Sequence, residues 1–176
     1  MVFDRNTENL DAAVAVSINQ ANALYDRYAG DLAREKALTD LLDAYSEAIS
    51  RTQERMRTLG VVAACARCDS QPSGSCCFKG VEGWYEPEIL LINRLMNVSI
   101  PRRPEAEGQC LFLGERGCRL KARHSFCVNF LCPTLREALG PSGTADLLAV
   151  AGRELLLGLE TETFMRRWLR QRKERE

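Results

Sequence analysis

Apolar residues recur at three-to-four spacing along the first third of the chain, and that period predicts helix. Leu10, Val14, Ile18 (or Ala21), Leu24, Tyr25 and Tyr28 form one stripe. Leu38, Leu41, Leu42, Tyr45, Ala48, Ile49, Met56 and Leu59 form the next. The stretch from about Asn6 to Leu59 is therefore expected as two helices, with Gly30 as a stop and Asp31 as a new N-cap. A continuous or kinked helix is the alternative. Arg51, Arg55 and Arg57 collect near the second helix's C-terminus, where cations suit the dipole, and Gly60 ends it.

The pattern then changes. An apolar link, VVAA, leads into a cysteine-rich stretch, and GWYEPEILLINRLMN predicts a short helix with Pro87 in its first turn. After the loop SIPRRPEAEG, the segment CLFLGERGCRL alternates around GERG like a tight hairpin. Pro133 opens a predicted helix that Gly140 and Pro141 stop near Leu139. From about Ser142 to Arg170 a helical face is supplied by Leu147, Leu148, Ala151, Leu155, Leu156, Leu159, Phe164, Met165 and Leu169. The expected fold is mainly α. A helical scaffold carries a loop-rich, metal-stabilised cysteine lobe between N- and C-terminal helices, all in a single domain over residues 1–176. Residues 1–60 form the N-terminal helices, 61–133 the lobe and 134–176 the C-terminal helices.

Charge adds little to this picture. The 24 basic and 24 acidic residues cancel, which removes a global electrostatic argument for nucleic acid or an anionic membrane. The C-terminal RRWLRQRKERE is basic with interspersed Glu and reads as a solvated helix end rather than a nucleic-acid patch. The opening residues lack the basic-then-apolar order of a secretory signal, and no apolar run is long enough to span a bilayer. The expected setting is cytoplasmic, with thiols kept reduced.

The chemistry lies in the cysteines. All eight fall between Cys65 and Cys132, in two groups. Cys65, Cys68, Cys76 and Cys77 make the first, and Cys110, Cys118, Cys127 and Cys132 the second. A C-x2-C pair on a turn brings two sulfurs within reach of one metal ion, and both zinc and iron–sulfur clusters take four thiolates. Pro72 and Gly74 in the first group, with Gly108, Gly114 and Gly117 in the second, let the backbone turn around such a site. Disulfides fit poorly with the compartment. A redox dithiol at Cys65-Ala-Arg-Cys68 fits poorly with helical flanks, because that motif belongs to a thioredoxin-like βα unit. The adjacent Cys76 and Cys77 raise a geometric question. Neighbouring side chains tend to diverge, so they divide between ligand and outer-shell roles, or serve different metals or irons.

The two groups resemble the bacterial and archaeal cysteine-cluster proteins described as zinc- or iron-chelating domains, the CxxCxxCC family. Cys65, Cys68, Cys76 and Cys77 match that family's C-x2-C and CC. Cys110, Phe112 and Leu113 match its C-x-F-L segment, and Cys118, Arg123, Cys127, Phe130 and Cys132 its last part. The likeness covers residues 65–133. The interval from Cys68 to the pair is longer than the family pattern, and Leu120, Lys121 and His124 stand where Ile, Tyr and Pro are usual. The resemblance implies metal chelation.

The resulting expectation is a metal-binding protein that holds zinc or an iron–sulfur cluster through Cys65, Cys68, Cys76, Cys77, Cys110, Cys118, Cys127 and Cys132. Other function classes compete with it. One is a cluster-dependent oxidoreductase or a protein-modifying enzyme; the flagellin lysine methylases carry a loosely similar cysteine segment, but no companion methyl-donor domain is recognisable here. Another is a metal-delivery or interaction protein. No phosphate-binding glycine loop, dinucleotide fingerprint or Ser-His-Asp arrangement is present, so catalytic residues are not assigned. His124, the one histidine, reads as a partly buried or surface side chain rather than a ligand. Arg123 and Lys121 are candidates to offset thiolate charge by hydrogen bonding. Trp84 and Tyr85 are expected to anchor the short helix against the cysteine lobe.

Overall fold

A computed structural model describes residues 5–69, 76–105 and 107–175, with side chains described from residue 11 onward except those of 66, 68 and 69. Pro72 and Gly74 lie outside the described residues, as do the side chains of Leu10 and Cys68. The chain is mainly helical. Its elements are α1 (Arg5–Leu32), α2 (Lys36–Thr58), α3 (Val61–Asp69), a 3-10 turn (Val81–Trp84), α4 (Pro87–Leu95), β1 (Leu113–Gly114), β2 (Gly117–Cys118), α5 (Ser125–Asn129) and α6 (Pro133–Lys173). Among the described residues, no helix is long and apolar enough to cross a membrane.

Gly30 does not stop the first helix. The α-helical bond pattern continues through Ala33 N–H to the Ala29 carbonyl at 2.9 Å, and then tightens as Arg34 and Glu35 bond back three residues. One mid-helix glycine costs about 1 kcal/mol. Full burial of Leu32, just beyond it, offsets that cost. Gly60 does end α2, at φ 72°. The apolar link that follows is helical too. VVAACARCD winds into α3, so Cys65 and Cys68 sit one turn apart on a helix and not on a turn. Alanine's high helix propensity explains the difference.

Pro87 occupies the first turn of α4, and Asn97 at φ 61° closes the chain reversal after it. The GERG hairpin forms as expected, with Leu113 opposite Cys118 and Gly114 opposite Gly117. Pro133 opens α6, which breaks at Gly140 (φ 65°, ψ 178°) next to Pro141 before resuming as one long helix.

Chain contacts divide the protein into two compact units. The first comprises Met1–Arg27 and Val62–His124, the second Tyr28–Val61 and Ser125–Glu176. The first unit buries Val14, Ile18 and Ala21 of α1, Ile89 to Ile92 of α4, and Tyr85, Phe112 and Leu120. In the second, α2 packs on α6 and α5 on the start of α6. Its core holds Leu38, Tyr45, Ile49, Leu147, Leu157, Met165 and Trp168. Trp168 also donates its indole N–H to Glu35 at 2.8 Å and meets Tyr28 edge-on at 5.4 Å. Six cysteines belong to the first unit; Cys127 and Cys132 belong to the second.

Candidate metal centre

Three main-chain devices arrange Cys77, Cys110 and Cys118 of the first unit. An antiparallel bridge between Phe78 and Gln109 draws together two segments far apart in sequence. Through it the Cys110 N–H donates to the Cys77 carbonyl at 2.8 Å, and the Lys79 N–H to the Gly108 carbonyl at 3.1 Å. Gly80 (φ 120°) and Gly108 (φ 77°) turn the chain beside this bridge in conformations that other residues rarely adopt. The Cys110 carbonyl then accepts from Leu113 at 2.9 Å, which starts the hairpin that ends at Cys118.

A polar clamp holds the hairpin. Arg119 donates to the carbonyls of Arg103 (2.9 Å) and Leu111 (2.6 Å) and pairs with Glu105 at 2.8 Å. Glu105 also accepts from the Glu115 N–H at 3.0 Å. Asn93 fixes the exit of the hairpin from below. This fully buried side chain on α4 donates to the carbonyls of Ile89 and Ala122 and accepts from the N–H groups of Lys121 and Ala122. All four bonds are 2.8 to 3.1 Å long, so each buried polar group finds a partner.

The described thiols of the first unit differ in exposure. Cys65, Cys76 and Cys118 are exposed, Cys77 is half-buried and Cys110 is buried. The Cys77 side chain hydrogen-bonds to Cys76 and brings its thiol down to about 6, against an opposing push from burial. Cys110 sits in an apolar wall with Phe112, whose ring meets that of Tyr85 edge-on at 4.9 Å. Tyr85 thus anchors the segment before α4 as expected, whereas Trp84 stays 41 % exposed and contacts Phe78 and His124.

His124 is half-buried between the Trp84 and Tyr85 rings, at 5.7 and 6.1 Å. Burial lowers its pKa, opposed by the charge of Glu86. Its ring belongs to an aromatic cluster with Trp84 and Tyr85. Lys121 directs its ammonium at the Met96 carbonyl, 3.4 Å away, so the main chain holds this candidate for offsetting thiolate charge.

In the second unit, Cys127 lies on α5 and Cys132 caps α6. The Cys132 sulfur accepts from the Leu135 N–H at 3.4 Å, filling the place that Ser or Asp usually takes. Phe126 on α5 and Phe130, one residue past its end, stack at 4.7 Å.

Among the described residues, no three His, Cys, Asp or Glu side chains converge as a metal-holding group. The structure brings Cys76 together with Cys77, and the main chains of Cys77 and Cys110 together, but closes no four-sulfur cage among the described side chains. Thiols are donors of the kind that suit a soft cation, and Cys110 and Cys118 flank the hairpin that follows the Cys77–Cys110 contact. A cleft of about 330 Å³ in the same unit is lined by Asp11, Lys79, Glu82 and Arg102, among others. Four of its charged side chains are engaged locally: Lys79 with Asp11, Arg102 with Asn19, and Glu82 with the Gly80 N–H.

Sequence reasoning missed the Phe78–Gln109 bridge, the Asn93 anchor and the Arg119–Glu105 clamp. Asn93 left one signal, a lone amide inside the apolar run ILLINRL. The bridge left none, since a single pairing has no period. Comparison of the chain with models of protein families, with curated proteins and with solved structures finds no match.

Proposed function

We propose that this chain is a metal-binding protein whose clustered cysteines chelate zinc or an iron–sulfur cluster. The observation that carries the reading is the main-chain bridge that brings Cys77 and Cys110 together. Thiolate is the ligand form, and two cysteine segments distant in sequence meet at one place. The likeness of the cysteine pattern to the CxxCxxCC family supports the same chemistry. Cys65, Cys68, Cys76, Cys77, Cys110, Cys118, Cys127 and Cys132 are the candidate ligands. Bound zinc would supply folding free energy to a segment rich in loops; a cluster would supply a one-electron couple. A reducing compartment, the cytoplasm, keeps such thiols available.

A second reading, metal delivery, draws on the exposure of Cys65, Cys76 and Cys118. Exposed thiolates exchange a metal with a competing chelator, whereas a structural site is enclosed. Anaerobic purification followed by metal and acid-labile sulfide analysis tests the proposal. Stoichiometric zinc without colour, or iron with equal sulfide and absorption near 400 nm, is the expected result. Eight thiols titrating freely with no bound metal would overturn it. Rapid zinc transfer to a chromogenic chelator at neutral pH separates delivery from a structural role.

A further inference from the structure

The buried face of α6 is formed by Leu147, Ala151, Glu154, Leu157, Thr161, Met165 and Trp168. The diametrically opposite face is where an ordinary surface helix carries its charges. Here that face reads Ala145, Ala149, Gly152, Leu156, Leu159 and Thr163, all exposed. Their spacing alternates four and three residues, the seam of a heptad repeat. Leu156 is 47 % and Leu159 61 % exposed. Apart from its chain neighbours and its helix's own backbone, no atom lies within 4 Å of where a Cβ on Gly152 would be, so the seam is open to an approaching backbone.

We infer that this seam is a self-association surface, on which α6 of one copy pairs antiparallel with α6 of a second copy, Leu156 facing Leu159. The charges beside the seam select both partner and register. With Leu156 against Leu159, the exposed Arg153 of each copy faces Glu160 of the other, and Asp146 faces Arg167. A two-fold axis makes each contact twice. A shift of one heptad one way sets Arg153 against Arg153 and Asp146 against Glu160. The opposite shift sets Glu160 against Glu160 and Arg153 against Arg167. Both alternatives oppose like charges, and a parallel pair would set Arg153 beside Leu148 and Glu160 beside Leu155, keeping one opposite-charge pair, Glu162 with Arg167. Asp146 already pairs with Arg55 in its own chain, so Arg153 and Glu160 carry most of the discrimination.

Sedimentation equilibrium of the full chain across micromolar concentrations tests this, with circular dichroism to check that each variant keeps its helices. The unmodified chain is expected as a concentration-dependent dimer, and Leu159→Glu as a monomer. Glu160→Arg and Arg153→Glu are each expected to weaken the dimer about tenfold or more, and the double exchange R153E/E160R to restore it. A chain that stays monomeric throughout overturns the proposal. So does a dimer indifferent to the two single charge changes, or one that the double exchange fails to restore.

Discussion

In the unit built on α2 and α6, side chains meet as fitted shapes. Gly158 leaves room for the Tyr45 ring, whose hydroxyl would lie 2.9 Å from any Cβ placed there. Thr52 and Thr161 return their hydroxyls to carbonyls of their own helices, which lets polar residues sit in the contact at little cost. In the unit that carries most of the cysteines, the decisive contacts instead join side chains to main chain. Asn93 and Arg119 hold loop carbonyls and N–H groups that no helix or sheet would otherwise satisfy. The first kind of structure follows from burying area. The second follows from meeting hydrogen-bond demand in a segment with little regular structure. Cysteines that must converge from separate segments need that second kind.

The largest test of this contrast is Asn93→Leu. The substitution keeps the volume and leaves the Ala122 N–H and carbonyl buried without their partner. Each such group costs about 1–3 kcal/mol, so a loss of about 2–6 kcal/mol is expected. Hydrogen exchange should show lost protection in residues 118–124 and near-unchanged protection in the α2–α6 pair. Equal loss in both units would mean that the amide supports the whole chain and not the hairpin exit.

That division also explains what could be read from the sequence. Helix α2, Pro87 at the start of α4, the GERG hairpin and the break at Gly140 all follow from local signals: periodicity, a fixed φ, or a turn residue. Gly30 was misjudged because propensity at one residue is weaker than the burial of Leu32 beyond it. Cys65 and Cys68 were expected on a turn because their spacing also suits one, and the alanines beside them decided for helix. The main-chain meeting of Cys77 and Cys110 was not legible, since one isolated bridge over a long interval leaves no pattern. The cysteine groups themselves were legible as chemistry, though not as geometry.

The shape-fitted unit has its own, smaller test. Gly158→Ala presses a methyl against Tyr45, which is 4 % exposed and has little room to yield. Overpacking of this kind costs about 1–3 kcal/mol. Paired with Tyr45→Phe, which removes the nearest atom, the loss should fall below the sum of the two single changes. Chemical denaturation of the four proteins measures that coupling. Strict additivity would show that the fit at Gly158 is loose.

The smallest effect expected on stability concerns the exposed Cys76, where the same contrast appears as a pH dependence. Its thiol titrates near 6 because the Cys77 side chain hydrogen-bonds to it. A folded-state pKa below the unfolded value makes a contribution that is complete above the unfolded pKa and disappears as pH falls through about 6. The metal-free chain should therefore gain slightly in stability from pH 6 toward 9. The kinetic signature is larger. Alkylation of Cys76, followed by peptide mass spectrometry, should stay fast down to about pH 6, while an unperturbed cysteine slows below its ordinary value near 8.5. Cys77→Ala removes the donor and should move the Cys76 inflection back up toward the ordinary range. An inflection that does not move would assign the lowered value to the main chain around Cys76, and the adjacent pair would then be two independent thiols.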